Sequence, residues 1–332
     1  MHIDMHAHFI PRNCLDAVDS AGRHYGPTIV ADEKGQERVT VRGQDRIPMT
    51  RQYWDPEARI KDMDATGVDV QVLSPMPSLL YYNLEPEACL WFSQRLNDGI
   101  SQVVSEYPAR FLGLATVPLQ EPGRALAELD RAINKLRLRG VEMMSNINGR
   151  DLDSLELMPF YKEVEALDVP VFIHPSQLTR VAGAERMRKY HLGNLIGNPL
   201  DTTLAAAHLI FGGVLEKYPG LKFCLAHAGG NVPYLRGRWE HGYQVRPEAK
   251  IEIKQPPSHY IPLLYFDTIT HFAPALEYLV ATVGADRVLM GTDYPADMAE
   301  SQPVSRVQSL TGISEADKQK ILGGNAARLF KL

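Results

Sequence analysis

Sulfur ligands are scarce in this chain. Three cysteines, Cys14, Cys89 and Cys224, are spread over 332 residues, and no CxxC pair occurs. An odd, widely spaced set suits reduced thiols in the cytosol; it excludes a disulfide framework and argues against sulfur-based zinc binding. No apolar run approaches the roughly 20 residues that a membrane helix needs. The chain opens on a strand pattern with no basic region followed by an apolar one, so no signal peptide is expected. Neither sign of charge is gathered into a block: the net charge is −5, and there is no basic stripe. Nucleic acid is therefore excluded as an expected partner. Internal repeats and low-complexity tracts are missing too. The expectation is a cytoplasmic protein with no nucleic-acid or membrane partner.

What is present is enough apolar material for a substantial core, 45% of residues, and a regular alternation of elements. Short β-branched runs read as strands at about 2–8, 67–75 ("GVDVQVLSP"), 110–118, 139–145, 169–175 ("VPVFIHP"), 221–229, 263–268 and 287–295. Longer helical patterns fill the gaps. One, "DPEARIKDMDATG" (55–67), has acids in its first turn and Gly67 at its end, both helix-terminus signals. Strands buried on both faces read as near-continuous apolar runs, as these do. Eight strands alternating with helices predict a single α/β domain over 1–332, a distorted (β/α)8 TIM barrel rather than two doubly wound domains. Residues 10–54 break the rhythm with Gly, Pro, Arg and Asp. They are expected to form an inserted lobe after the first strand, over the barrel mouth.

The first strand carries "IDMHAHFIP" (3–11). Alternate residues of a strand share a face, so Asp4, His6 and His8 point the same way, with both histidines at the C-terminal end where this fold builds active sites. An HxH pair alone says little. Strand five, however, ends in His174, strand six in His227 and strand eight in Asp293, within "GTDYP". A lone histidine at a strand end is more often a hydrogen-bonded core residue, and a lone Asp a helix cap. Five ligand-type residues on four strand ends of one barrel face are not explained that way. Imidazole and carboxylate donors suit zinc, manganese or iron, and an open position makes the site catalytic. Such an ion lowers the pKa of its water towards ~7. His227 is the candidate to take or return a proton near neutral pH.

These segments, with "YWDPEARIKDMDATGVDVQVLS", "RFLGLATVPLQ" and "GGVLEKYPGLKFCLAHAGG", resemble the amidohydrolase superfamily over nearly the whole chain. Within it they resemble the aminocarboxymuconate-semialdehyde decarboxylase family of metal-dependent decarboxylases. The resemblance implies one divalent metal ion, zinc first and manganese second, held by His6, His8, His174 and Asp293, with His227 as acid/base. It implies a homodimer in which Arg238 reaches the neighbouring site to hold a substrate carboxylate. It also implies a second carboxylate-binding arginine matching Arg46, with Arg51 competing for that role. His271 lies near the expected pocket edge as a further candidate contact. Strand four ends "EMMSNI", and its Glu142 comes too early for the bridging ligand of two-metal relatives. Where the semialdehyde decarboxylases carry Trp-Asp after the strand-five histidine, this chain has Ser176-Gln177, which puts the exact substrate in doubt.

The reaction this implies is non-oxidative decarboxylation of an unsaturated or aromatic acid, using a metal-bound water and a histidine acid/base. Asp293 is an alternative proton donor to carbon. The ligand spacing equally allows a hydrolase or hydratase acting on a lactone, an amide or an unsaturated acid. A non-catalytic barrel is the third reading, and an intact ligand set with a candidate base argues against it.

Overall fold

The computed structural model of the chain describes residues 1–332 except 32, 36, 42–43 and 177–183; the side chains of 37, 38, 41, 44–49 and 184 also fall outside the description. In chain order the strands are β1 (Ile3–Phe9), β2 (Thr28–Ala31), β3 (Glu37–Val41), β4 (Gln44–Met49), β5 (Val70–Pro75), β6 (Phe111–Gly113), β7 (Val141–Met144), β8 (Pro170–His174), β9 (Lys222–Leu225), β10 (Tyr265–Asp267) and β11 (Val288–Leu289).

Strands β1-β5-β6 form one parallel run and β7-β8-β9-β10-β11 another. Single parallel bridges, Ala115 to Val141 and Ala7 to Tyr294, join the two runs at either side. The result is the expected barrel, distorted because two of its seams are one bridge wide. Between β1 and the first long helix, β2, β3 and β4 pair antiparallel into a separate small sheet within residues 10–54.

Local chemistry sets these elements. The helix Pro56–Thr66 starts where the Asp55 carboxylate accepts the Glu57 and Ala58 N–H groups at 2.9 and 3.3 Å, with Pro56 in the first turn. It ends at Gly67, whose φ of 75° is the left-handed conformation that glycine adopts at least cost. Residues of β1, β5, β7 and β8 are buried throughout, as strands covered on both sides must be.

The barrel interior is filled from below by Met5, Val72, Leu112, Phe172, Cys224 and Leu289, closed by Leu329 and Phe330 of the C-terminal helix. Above this plug Phe172 meets His6 edge-on, ring centres 4.7 Å apart. An apolar floor thus lies directly beneath the polar residues of the strand ends. All three cysteines are buried and free. No described helix is long and apolar enough to cross a membrane.

Candidate metal centre and active site

The fold brings His6, His8, His174, His227 and Asp293 together. One donor atom from each of His6, His174, His227 and Asp293 lies within 4.8 Å of the others. Nε2 of His8 sits 3.2 Å from Nε2 of His6 and 3.1 Å from Oδ1 of Asp293. Nε2 of His6 is also 3.2 Å from Oδ1 of Asp293, and Nε2 of His227 is 3.5 Å from its Oδ2. Imidazole nitrogens converging on a carboxylate are the donor chemistry of a divalent first-row ion, so the set fits one. Among the described residues no cysteine joins it.

Two of these residues need unusual backbone. Asp293 and His227 have φ of 63° and 54°, in the left-handed region, where a non-glycine residue costs about 1–3 kcal/mol. Hydrogen bonds hold them there. The Asp293 N–H donates to the His6 carbonyl at 2.9 Å. The N–H groups of His227 and Ala228 donate to the Asp267 carboxylate at 2.8 and 2.7 Å. Gly230 closes the turn after His227; a Cβ there would stand 2.0 Å from the Pro199 carbonyl oxygen, so no other residue fits.

Each buried ring is also held from behind. Nδ1 of His6 pairs with Asp267 at 2.8 Å, Nδ1 of His8 with the Ser74 hydroxyl at 3.1 Å, and Nδ1 of His174 lies 3.2 Å from the Pro175 carbonyl. Such outer partners fix ring orientation and leave Nε2 to face an ion. Charge follows the same layout. Burial opposes ionisation of Asp293, yet the histidines around it, His6 foremost, hold its carboxyl well below the usual range. Burial likewise disfavours a charged His6, and Asp293 and Asp267 overcome this to carry it up to about 10. Burial and the neighbouring histidines keep His174 far below the usual range. The cluster therefore presents a formed carboxylate beside at least one readily neutral ring.

The five residues differ in what they face. His227 and Asp293 line a cavity of about 390 Å³ with Asn194, Asn198, Asn231 and His271. His6, His8 and His174 do not line it and are buried. Apolar patches from Leu195, Ile269 and Met298 complete the wall. A cavity of this size, with mixed polar and apolar walls, suits a small-molecule ligand. His271, expected at the pocket edge, lines this wall.

The arginines are placed elsewhere. Arg51 pairs with Asp55 and lines a different cavity beside Phe9 and Trp54. Arg238 is exposed on the helix Val232–Val245. Arg46 lies in β4, and its side chain falls outside the described residues, as does Gln177. Asp4 shares a strand with the histidines but does not join them. A register shift between Asp4 and Ala7 accompanies a carboxylate that instead accepts from Gln71 at 2.7 Å and the Thr292 hydroxyl at 2.6 Å.

Sequence reasoning missed Asp267. It ends β10, and its carboxylate takes His6 Nδ1 and the N–H groups of His227, Ala228 and Ile269. The signal was present as an acid at a barrel strand end, in "YFDT". Glu142 is wholly buried with neither oxygen hydrogen-bonded, 4.0 Å from Nδ1 of His8. It stands behind the His8 ring and not among the converging donors, and burial pushes its carboxyl well above the ordinary range.

Residues 3–332 match the amidohydrolase family. A 2-amino-3-carboxymuconate-6-semialdehyde decarboxylase of Dictyostelium discoideum is 38% identical over 335 residues, spanning 100% of this chain and 92% of that protein. A gamma-resorcylate decarboxylase of Polaromonas sp. is 31% identical over 293 residues, 83% of this chain and 87% of that one. The crystal structure of a dihydroxybenzoic acid decarboxylase from Polaromonas sp., with bound manganese and the inhibitor 2-nitroresorcinol, superposes with a TM-score of 0.79 at 27% identity, covering 100% and 97% of the two chains. The chain belongs to the amidohydrolase family. Within that family it falls among the carboxy-lyases, beside the aminocarboxymuconate-semialdehyde decarboxylases.

Proposed function

We propose that this protein is a metal-dependent non-oxidative decarboxylase of an unsaturated or aromatic carboxylic acid. In this reading His6, His8, His174 and Asp293 hold one divalent ion, and His227 is the acid/base. The observation that carries the division of roles is which residues meet the cavity. His6, His8 and His174 are buried away from it, while His227 and Asp293 line it.

When bound, a divalent ion supplies electrostatic stabilisation of negative charge developing on the substrate. The chain does the rest. The apolar floor of Phe172 and the burial of the strand ends exclude water, which strengthens every charge interaction in the site. Loss of CO2 leaves an electron pair on carbon, which must take one proton. His227 is built to handle that proton. Its Nε2 is 3.5 Å from the Asp293 carboxylate, while its Nδ1 is buried without a hydrogen-bond partner among the described residues. Asp293, at the same wall, is the alternative donor to carbon, provided that its carboxylate first takes a proton from the substrate or from solvent.

The finer parts of the reading are these. Zinc is the proposed ion, because imidazole and carboxylate donors suit it; manganese is the runner-up, supported by the ion in the Polaromonas relative. A homodimer would bring Arg238 of one subunit to the carboxylate of a substrate in the other. Support for this is that Arg238 is exposed and makes no ion pair among the described residues of its own chain. Arg46 would approach from residues 10–54. Three free, buried cysteines support a cytoplasmic location.

The test combines metal analysis of the purified protein with CO2 release from aminocarboxymuconate semialdehyde and a set of hydroxybenzoates. The expected result is about one ion per chain and CO2 release that a chelator abolishes and the ion restores. Water addition with the carboxylate retained, or no ion at all, would overturn the proposal.

A further inference from the structure

Among the described residues, Arg59 is the one arginine that the fold seals completely away from solvent, with its fork on the backbone of a strand that carries two of the donor histidines. It projects from the helix Pro56–Thr66 and is 0% exposed. It forms no ion pair among the described residues. Instead its fork is spent on backbone and amide oxygens. Nη2 donates to the His8 carbonyl and, at 3.1 Å, to the Gln52 carbonyl; Nη1 donates to the Gln71 side chain at 2.6 Å. The guanidinium lies over the Tyr294 ring, 4.7 Å from its centre, and near Phe9 at 5.3 Å.

Every one of these partners is one step from something that matters. His8 is a proposed ligand, and Tyr294 follows Asp293. Gln71 passes the contact on to Asp4 at 2.7 Å, and Asp4 accepts from the His6 N–H at 3.1 Å, the Thr292 N–H at 3.0 Å and the Thr292 hydroxyl at 2.6 Å. Gln52 belongs to the short helix Arg51–Tyr53, where residues 10–54 return to the barrel. A buried cation without a counter-ion is costly, so its position must be over-determined by what it holds. A planar fork can reach carbonyls on separate elements at once; a lysine ammonium on its single stem cannot keep that geometry.

We propose that Arg59 is a positioning residue that couples the return of the inserted segment, at Gln52, to β1, which carries His6 and His8, and to the segment after β11, which carries Asp293. The coupling rests on the reading of those residues as metal ligands. It is reciprocal: an ion that fixes the strand ends also fixes Gln52, and loosening Arg59 weakens the hold on the ion.

The test uses the full chain stripped of metal, with manganous chloride as the probe. Affinity is measured by chelator competition, and amide hydrogen exchange is followed over Thr50–Trp54 with and without the ion. Wild type should gain protection there when manganese binds. Arg59→Gln should lose that gain and bind manganese roughly 10–100-fold more weakly, the usual effect of losing an outer-shell partner. Arg59→Lys should behave like Arg59→Gln, because the fork and not the charge is lost. Thr292→Val, which removes the hydroxyl that donates to Asp4 at the far end of the relay and accepts the Tyr294 N–H at 3.1 Å, should weaken binding by about threefold to tenfold. It keeps the proposal testable if the Arg59 variants do not fold. Rescue by lysine overturns the proposal. So does unchanged affinity in Thr292→Val together with wild-type exchange at Thr50–Trp54 that ignores manganese. A wild-type chain that binds neither manganese nor zinc overturns the metal reading itself, and the coupling with it.

Discussion

The donor cluster and the cavity beside it are built differently. On the inner side, His6, His8 and His174 are buried, and each has its outer nitrogen against a fixed oxygen, from Asp267, Ser74 or Pro175. On the outer side, Asn194, Asn198, Asn231 and His271 present side chains that make no hydrogen bond to another described residue, and Asn231 and His271 are exposed. The contrast shows where this protein has invested order. The inner side must hold donor atoms in place before anything binds, because an ion tolerates little error in ligand position. The outer side leaves hydrogen-bonding capacity unspent, as a surface that recognises a variable small molecule does.

The sharpest way to break that contrast is to remove a donor. Asp293→Asn keeps the shape and removes the charge against which His6, His8 and His227 are gathered. Metal analysis should find the ion at background, with CO2 release lost along with it. Retained metal at the wild-type level would move the fourth ligand elsewhere. His227→Asn comes next. It should keep the ion, because His227 is assigned to the cavity wall and not to the ligand set. Turnover should fall roughly 10²–10⁴-fold, the usual contribution of a general acid/base. Loss of metal instead would make His227 a ligand and leave the proton to Asp293.

Asp267 tests whether outer partners matter as argued. Its carboxylate holds the His6 ring and the strained turn of His227 and Ala228 at once. Asp267→Asn supplies a single carbonyl oxygen for these donors. Metal affinity should drop roughly 10–100-fold, and the melting temperature should fall in the metal-free protein as well. A change in turnover with affinity and melting intact would mean that Asp267 acts on the reaction and not on the architecture.

The same contrast explains what could be read from the sequence. His6, His8, His174, His227 and Asp293 were visible because a barrel converts position along the chain into position in space: each lies in or just beyond an apolar strand, towards its C-terminal end, and strand ends of one barrel face converge. The barrel itself followed from apolar runs alternating with helical periodicity. Asp267 was missed because an acid at a strand end looks the same whether it binds an ion or braces a neighbour. Arg59 was hidden for another reason. Within "DPEARIKDMDATG" it reads as one more charge on an amphipathic helix, and only the fold turns it inwards. The face-sharing rule placed Asp4 with the histidines, and an irregular register in β1 sent its carboxylate to Gln71 and Thr292. Substrate contacts are least legible because in loops no period ties a residue to a direction.

Arg238 is where the outer side can be sharpened most cheaply. It lies on the helix Val232–Val245, six residues beyond the first of that helix, and its side chain is exposed. If it serves a neighbouring subunit, a site needs His227 from one chain and Arg238 from the other. Assayed with substrate well below the raised KM, Arg238→Ala should then be nearly inactive alone, as should His227→Asn. Mixed and allowed to exchange subunits, they should form hybrids with one intact site, restoring roughly a quarter of wild-type turnover in a symmetric dimer. Arg238→Ala alone should raise KM for a dicarboxylate more than for a monocarboxylate and leave metal content unchanged, because a guanidinium that holds a carboxylate contributes binding and not ion affinity. Recovery in the mixture would place the missing cation of the cavity wall on the partner. No recovery, with Arg238→Ala fully active, would leave Arg238 an ordinary surface residue and shift the search for that cation to residues 10–54.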